Sequence, residues 1–304
     1  MTNITIIYHA NCTDGLTAAW VAARALSTAK TNITVVPAFY GTPPPDVTGQ
    51  IVYVLDFSYK RPLMEQLANQ ADRLIVLDHH KTAQADLDGL AADRTNVTIV
   101  FDMKRSGARL AWDWFHCAGR PLPVGQDVPL LSSPRLAPWL VEYVQDRDLW
   151  TWALPNSRLV CAAIESYPRT FEAWDALADR PLAIMFKEGE VVQRYREQCI
   201  AAGVELARPL VLDNRMICAA NSSEMRFASD IAAVLAENQP FGATWWVRAD
   251  GVVQFSLRSR ADGEDVSAIA VRYGGGGHQH AAGFQTTLEH LLVMFNDRRA
   301  VGAF

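Results

Sequence analysis

Residues able to bind a metal ion are grouped at a few points of this 304-residue sequence. Five of its seven histidines occur in three places, at His9, at His79 with His80, and at His278 with His280. The aspartates near the first two groups are Asp14, Asp56 and Asp78. Imidazoles and carboxylates without thiolates suit Mn²⁺, Mg²⁺ or Fe²⁺, and Zn²⁺ also fits. The residue types therefore predict a divalent-metal site.

The chemistry that such a site favours is phosphoryl transfer. Aspartates that bridge two ions about 3.5–4 Å apart allow a water to be activated for in-line displacement at phosphorus. Carboxylates crowded together without a cation would repel one another strongly. We therefore expect two bound ions, with Mn²⁺ as the first candidate and Mg²⁺ or another divalent ion as the alternative.

Predicted strands bring these residues to one place. Apolar runs lead directly into His9, into Asp56 and into the triplet Asp78–His80, and another apolar run covers 97–101. Polar loops and helical patterns separate the runs, as in βαβ units. Because ligands of an open parallel α/β sheet bind beyond the carboxyl ends of its strands, the site is expected at that edge.

The rest of the chain changes character twice. A helical pattern with many Trp and Tyr residues follows from about residue 135 to residue 198, and an α+β pattern follows Pro209. The predicted strands of that last part are 216–220, 242–249, 252–260 and 283–287. We predict an α/β fold with a parallel-sheet domain and a helical segment over 1–185, a helical connector over 186–208, and a smaller α+β domain over 209–304. The active site is expected in the cleft between the two domains.

Composition and charge exclude several classes of protein. The formal net charge of -5 argues against broad binding to long nucleic acid, although a local basic pocket for a short phosphorylated ligand remains compatible with it. Five cysteines without a C-x-x-C pair fit reduced thiols rather than a disulfide framework. The chain opens into a strand and has no apolar run of about 18 residues, so we expect a cytoplasmic protein without a membrane segment.

A run of four glycines, Gly274–Gly277, precedes His278 in the C-terminal part. Such a run is often a plain loop. Its backbone N–H groups can also approach an anion closely, because glycine adopts conformations closed to other residues. With Arg258 on a predicted strand nearby, the second interpretation is a phosphate clamp.

These motifs together resemble the DHH phosphoesterase superfamily. The N-terminal His9-x-Asn11-x-x-Asp14-Gly15 loop, the strand-end Asp56 and the Leu77-Asp78-His79-His80 stretch are similar to its catalytic domain. The Gly274–His278 stretch, followed by Ala281-Ala282-Gly283, is similar to the GGGH-type signature of its associated C-terminal domain. The resemblance covers nearly the whole chain and implies a two-domain, metal-dependent phosphohydrolase.

The resemblance also implies roles for individual residues. The metal ligands would be His9, Asp14, Asp56, His79 and Asp146. Asp56 would bridge both ions, and Asp148 is the alternative to Asp146. The catalytic residues would be His80 near the scissile phosphate, Asp78 as a ligand or as a partner that orients an imidazole, and Arg258. The substrate-binding residues would be Ser106, Arg258, Gly275, Gly276, Gly277 and His278.

One departure from the family pattern concerns the first motif. Family members commonly carry two aspartates spaced D-x-D after the histidine, whereas Cys12 stands two residues before Asp14 here. The loop is shifted by one residue, or the first ion has fewer protein ligands. Either reading affects the affinity or identity of one metal and leaves the class unchanged.

The predicted function is hydrolysis of a phosphate ester in a short nucleotide. Short oligoribonucleotides and 3′-phosphoadenosine phosphate are the preferred substrates, and a cyclic dinucleotide is an alternative. A long basic track is missing, which argues against a processive exonuclease. The alternative to an enzyme is a relative of this family that binds a nucleotide without catalysing a reaction. The Trp-rich middle region could pack a core or the interface of a homodimer.

Overall fold

The computed structural model describes residues 1–117, 136–222 and 225–296. It divides into two compact units, residues 1–193 and residues 194–304. The predicted α/β class, with a parallel sheet first and a mixed sheet second, is confirmed. The boundary between the units falls inside one long helix, Leu182–Glu205.

The first unit is built on a five-stranded sheet in which every neighbouring pair is parallel. Its strands are β1 (Thr2–His9), β2 (Thr31–Ala38), β3 (Ile51–Leu55), β4 (Arg73–Asp78) and β5 (Val97–Phe101). The spatial order is β2-β1-β3-β4-β5. The short apolar runs form these strands because a parallel sheet covered by helices buries both faces of its central members.

Helices cover the two faces of this sheet. The helices of the first unit are α1 (Thr13–Leu26), α2 (Arg61–Gln70), α3 (Lys81–Asp86), α4 (Gly107–His116), α5 (Trp139–Asp148), α6 (Ser157–Ser166), α7 (Phe171–Ala178) and the start of α8 (Leu182–Glu205). Tyr53 and Leu55 of β3 join the core formed with α1, α4 and α5, whereas Val52 and Val54 join the core formed with α2. The alternation follows from the two-residue period of a strand.

The order of the strands predicts where a ligand binds. The chain moves from β1 outward to β2 and then returns to the other side of β1 to form β3. In such sheets the loops at the carboxyl ends of β1 and β3 diverge and leave a crevice. His9 ends β1 and Asp56 directly follows β3, so both lie at this crevice.

The second unit carries a six-stranded sheet with order β10-β11-β9-β8-β7-β6. Its strands are β6 (Arg208–Leu212), β7 (Arg215–Asn221), β8 (Gly242–Val247), β9 (Val253–Arg258), β10 (Gly276–His278) and β11 (Ala281–Thr286). Its helices, besides the end of α8, are α9 (Ala228–Leu235), α10 (Val266–Arg272) and α11 (Leu288–Asn296). The four predicted strands are present with shifted ends, and β6 and β10 were not predicted.

No helix in the described part of the chain is both long enough and apolar enough to cross a membrane.

Candidate active site

Three neighbouring strands deliver the predicted metal-binding side chains. His9 is the last residue of β1, Asp56 follows β3, and Asp78 ends β4 immediately before His79 and His80. Asp56 has a φ of +53°, a left-handed conformation that is uncommon for a residue other than glycine. Its N–H donates to the carbonyl of Leu77 at 2.9 Å, so β4 holds this turn in place. Strained backbone of this kind often marks a functional site.

The imidazole of His79 lies among three carboxylates. Its Nε2 is 3.0 Å from Asp56 Oδ1, 3.4 Å from Asp148 Oδ2 and 3.7 Å from Asp14 Oδ2. We call Asp14, Asp56 and Asp148 the carboxylate cluster. Asp14, Asp56 and His79 are almost completely buried, so water screens these charges weakly.

The pKa shifts in the cluster show how strongly the crowded carboxylates repel one another and attract His79. Burial opposes protonation of His79, but the surrounding carboxylates raise its pKa to about 10. Burial and then the charges of Asp56 and Asp148 raise the pKa of Asp14 well above its usual value. Burial also raises the pKa of Asp148, and the Asp56 charge adds to that rise. Asp56 is the exception, because its contacts with His79 and His9 outweigh burial and hold its pKa well below the usual value.

Asp78 orients the two histidines that follow it. Its Oδ1 accepts the backbone N–H of His79 at 2.7 Å and lies 2.7 Å from Nδ1 of His80. Its Oδ2 accepts the hydroxyl of Ser58 at 2.7 Å. Both oxygens of this fully buried carboxylate therefore make hydrogen bonds, which supports the orienting role for Asp78. Because Nδ1 of His80 faces Asp78, the Nε2 edge of the His80 ring points away from Asp78.

Asp14 occupies the N-terminus of α4. Its Oδ2 accepts the N–H of Gly107 at 2.6 Å, and its Oδ1 accepts the N–H of Ala108 at 2.9 Å. These groups are unpaired donors of a helix start, where a negative charge is stabilised. The two bonds join Asp14 to a helix 93 residues later in the chain.

Gly107 allows this contact, and sequence reasoning did not identify it as a site residue. A Cβ at position 107 would lie 2.4 Å from Asp56 Cβ and 2.9 Å from Asp14 Oδ2. Only glycine lets the first turn of α4 approach two members of the carboxylate cluster so closely. The sequence signal was a Ser-Gly pair ahead of a helix, which by itself indicates no more than a helix start.

Ser106, predicted to bind substrate, is the N-cap residue of α4. Its hydroxyl accepts the N–H of Arg109 at 3.3 Å, and its own N–H donates to the side chain of Gln145 at 3.2 Å. The residue is completely buried. These contacts describe a helix cap, so the substrate-binding role of Ser106 stays a prediction without geometric support.

The structure separates the two candidates for the fourth motif. Asp148 belongs to the carboxylate cluster, whereas the carboxylate of Asp146 closes the loop after α5. Asp146 accepts the hydroxyl of Thr151 at 2.5 Å and the backbone N–H groups of Ala153 at 2.8 Å and Leu154 at 3.2 Å. The geometry therefore favours Asp148 over Asp146, our first choice, because only Asp148 approaches His79 and the other carboxylates.

Two overlapping groups of donor atoms in the first unit could each hold a metal ion. One set of ligand atoms comes from His9, Asp56 and His80, and the other comes from Asp14, Asp56 and His79; within each set the atoms lie within 4.8 Å of one another. Asp56 is the residue common to both sets. Asp56 Oδ2, His9 Nδ1 and Asp148 Oδ2 are buried and make no hydrogen bond in the described part of the chain, as expected of atoms that face a cation. Imidazole and carboxylate donors of this kind suit Mn²⁺ or Mg²⁺.

Cys12, which stands where the family pattern has an aspartate, belongs to neither set. Burial, and then the charges of Asp56, Asp148 and Asp14, raise the pKa of its thiol well above the usual value. In the absence of a cation these surroundings favour the protonated thiol, which is a poor nucleophile.

The predicted phosphate-binding residues of the second unit lie at one level of its sheet. Arg258, at the end of β9, pairs with Ala281 of β11, and Ala281 pairs with His278 of β10. The guanidinium of Arg258 donates to Ser229 Oγ at 2.6 Å and to the carbonyl of Leu257 at 2.7 Å. These bonds orient the Arg258 side chain from within its own unit.

The glycine run has a packing role in this sheet. A Cβ on Gly275 would lie 2.0 Å from the carbonyl oxygen of Gly283, and one on Gly277 would lie 2.6 Å from that of Ala281. Gly277 also has a φ of +141°. Gly276 and Gly277 begin strand β10, so the run is not a plain loop. The close approach of β11 accounts for the glycines at 275 and 277.

Comparisons with known proteins agree with this architecture. No protein-family model matches the chain. An uncharacterized protein of Acanthamoeba polyphaga mimivirus is 25% identical over 298 residues, which cover 91% of this chain and 66% of that protein. The chain therefore spans slightly less than two thirds of that relative's length.

Among solved structures, exonuclease RecJ bound to manganese aligns with a TM-score of 0.51 and 18% identity, over 98% of this chain and 89% of that chain. A pGpG-specific phosphodiesterase from Vibrio cholerae aligns with a TM-score of 0.46 and 14% identity, over 96% of this chain and 95% of that chain. The shared fold follows from the first of these two alignments. The chain therefore shares the fold of exonuclease RecJ.

Proposed function

We propose that the protein is a divalent-metal-dependent phosphohydrolase that cleaves a phosphate ester bond in a short nucleotide. The observation that carries the proposal is the position of Asp56, whose carboxylate belongs to both sets of ligand atoms. A shared carboxylate is the arrangement expected for two neighbouring ions that act on one phosphate. The fold shared with exonuclease RecJ bound to manganese supports the same reaction class.

The carboxylate cluster supports a role for cations in binding the substrate. Without them, Asp14, Asp56 and Asp148 would repel a phosphate, and burial would make the repulsion strong. Bound divalent ions would reverse the sign of the local charge, supply an activated water as the nucleophile and stabilise the charge that develops on phosphorus oxygens.

The residues of the first unit divide into ligands and orienting groups. The proposed ligands are His9, Asp14, Asp56, His79, His80 and Asp148. The orienting groups are Asp78, which holds His80 through Nδ1, and the first turn of α4, which holds Asp14. Since both Asp78 oxygens are engaged, His80 is restrained to one ring orientation, whether it binds an ion or contacts the scissile phosphate.

A short substrate fits the charge of the protein better than a long strand does. The net charge of -5 provides no general attraction for a polyphosphate backbone. Arg258 and His278, at one level of the second sheet, are proposed to hold a terminal phosphate. We therefore propose short oligoribonucleotides or 3′-phosphoadenosine phosphate as substrates, with a cyclic dinucleotide as the second candidate.

The test is turnover on a panel of substrates. Purified protein with Mn²⁺ would be incubated with a linear diribonucleotide, 3′-phosphoadenosine phosphate, a cyclic dinucleotide and pyrophosphate, and the products would be separated by chromatography. We expect mononucleotides from the linear dinucleotide and no product after EDTA treatment. Turnover of only one of the other three compounds would identify that compound as the substrate instead. If the protein binds metal but hydrolyses no compound of the panel, the proposed phosphohydrolase activity is refuted and a non-catalytic nucleotide-binding protein is favoured.

A further inference from the structure

Tyr40 lies at the edge of the sheet where the proposed ligands gather. It follows β2 by two residues, and β2 is the neighbour of β1, the strand that ends at His9. The pairing continues past the strands, because the N–H of Ala10 donates to the carbonyl of Ala38 at 2.9 Å. Tyr40 is therefore held close to the crevice on the β2 side.

The ring of Tyr40 rests on a rigid support. Its centroid is 4.9 Å from that of Phe57, which is completely buried, and 5.6 Å from that of His9 in an edge-on arrangement. Tyr40 nevertheless keeps 48% of its surface exposed. An aromatic residue packed on a buried ring and against a proposed metal ligand, yet half open to solvent, is well placed to meet a bound ligand.

The hydroxyl of Tyr40 can donate to a ligand bound at this edge of the sheet. The hydroxyl keeps its proton at neutral pH and can donate a hydrogen bond. It makes no hydrogen bond to any residue in the described ranges of the chain. Because Tyr40 is half exposed, solvent can supply a partner for this hydroxyl, and a bound ligand can replace the solvent.

We propose that Tyr40 is a substrate-binding residue whose hydroxyl donates a hydrogen bond to a phosphate oxygen of the nucleotide. The inference rests on the proposed function, because it takes the ligand of the neighbouring metal site to be a phosphate ester. It adds a donor from the β2 side of the crevice to the ligands that β1, β3 and β4 supply. A phosphate oxygen is the natural acceptor, since donors to charged groups form the stronger hydrogen bonds.

The experiment compares Tyr40→Phe with Tyr59→Phe. Tyr59 also packs against Phe57, with centroids 4.8 Å apart, but it is buried, and burial alone raises the pKa of its hydroxyl. Each variant loses one hydroxyl beside the same phenylalanine. Steady-state hydrolysis of a linear diadenylate would be measured with Mn²⁺, and calorimetry would measure binding of AMP, the expected product, to the Mn²⁺-loaded protein.

We expect Tyr40→Phe to weaken AMP binding and to lower kcat/KM by at least about tenfold, the effect of losing one hydrogen bond to a charged group. Tyr59→Phe should leave both quantities within about twofold of wild type. Equal AMP affinity in wild type and Tyr40→Phe would overturn the proposal even if the wild type is active. If wild type hydrolyses nothing, the proposed function fails, and a tenfold loss of AMP affinity in Tyr40→Phe would still support the contact with phosphate.

Discussion

Asp56 and His79 hold each other at the junction of two neighbouring strands. Asp56 Oδ1 is 3.0 Å from His79 Nε2, and the N–H of Asp56 donates to Leu77, two residues before His79. The left-handed backbone of Asp56 is thus tied to the strand that delivers its partner. Because Asp56 also lies 3.6 Å from His9 through Oδ2, it connects the carboxyl ends of three strands.

Replacement of Asp56 should abolish catalysis. Asp56→Ala removes the carboxylate common to both ligand sets, so we expect kcat to fall by at least about three decades, the scale of a principal electrostatic group. Asp102→Ala is the matched control, because Asp102 also follows a strand but pairs with Arg105. Activity of Asp56→Ala within about tenfold of wild type would contradict the two-metal site.

Divalent ions should stabilise the folded protein. Cations relieve repulsion among carboxylates that burial already disfavours, and they bind the native state in preference to the unfolded chain. At an Mn²⁺ concentration of about 100 times Kd, the free energy of unfolding should rise by about 2.7 kcal/mol. Thermal unfolding with Mn²⁺ and with EDTA measures the shift. The same shift in Asp56→Ala would show that the ions bind elsewhere.

Asp146 and Asp148 should give opposite results. Asp148→Asn removes a cluster carboxylate, so Mn²⁺ binding should weaken by at least about tenfold, while stability without metal stays equal or increases because a repelled buried charge is lost. Asp146→Asn weakens the loop contacts to Thr151 and Ala153 and should cost about 1–3 kcal/mol of stability, with nearly normal metal affinity. Calorimetric Mn²⁺ titration and urea unfolding distinguish them, and the reverse pattern would restore Asp146 as the ligand.

The sequence could not decide between these two aspartates. Residues two positions apart on an α-helix point about 200° away from each other, so one of them faces the site and the other faces away. Which one does so depends on the rotation of α5 about its axis. That rotation is set by packing against α4 and α6, which sequence spacing does not reveal. The contact between Asp14 and α4 was missed for the same reason, since 93 residues separate the two partners.

The strands of the first unit could be predicted because each is marked by a signal in its own stretch of sequence. The apolar runs of β3 and β4 are short and buried, and each ends at a polar residue. In the second unit, β6 contains Pro209 and β10 is formed from glycine and histidine, residues that a strand pattern excludes. Both are edge strands of the sheet, where proline and weak strand formers are tolerated.

Ser106 should prove to be a helix cap. Its hydroxyl accepts the N–H of Arg109, and replacing such a cap with alanine typically costs about 1 kcal/mol. Ser106→Ala should therefore lose about that much stability in urea unfolding and keep the KM of wild type. An increase in KM with unchanged stability would instead support the substrate-binding role predicted from the sequence.

Gly107→Ala tests the close approach of α4 to the carboxylate cluster. The new Cβ would lie 2.4 Å from Asp56 Cβ and 3.0 Å from Asp56 Cα, so the start of α4 must move away. That movement lengthens the bonds from Gly107 and Ala108 to Asp14 and displaces Asp56. We expect a stability loss of about 1–3 kcal/mol, as for overpacked sites, and weaker Mn²⁺ binding.

Ser106→Ala, one residue earlier in the chain, is the control for Gly107→Ala because it perturbs the same helix start without adding an atom near Asp56. If both variants lose stability but only Gly107→Ala loses Mn²⁺ affinity, the glycine serves the metal site directly. Wild-type Mn²⁺ affinity in both variants would mean that the first turn of α4 has no part in positioning Asp14 and Asp56.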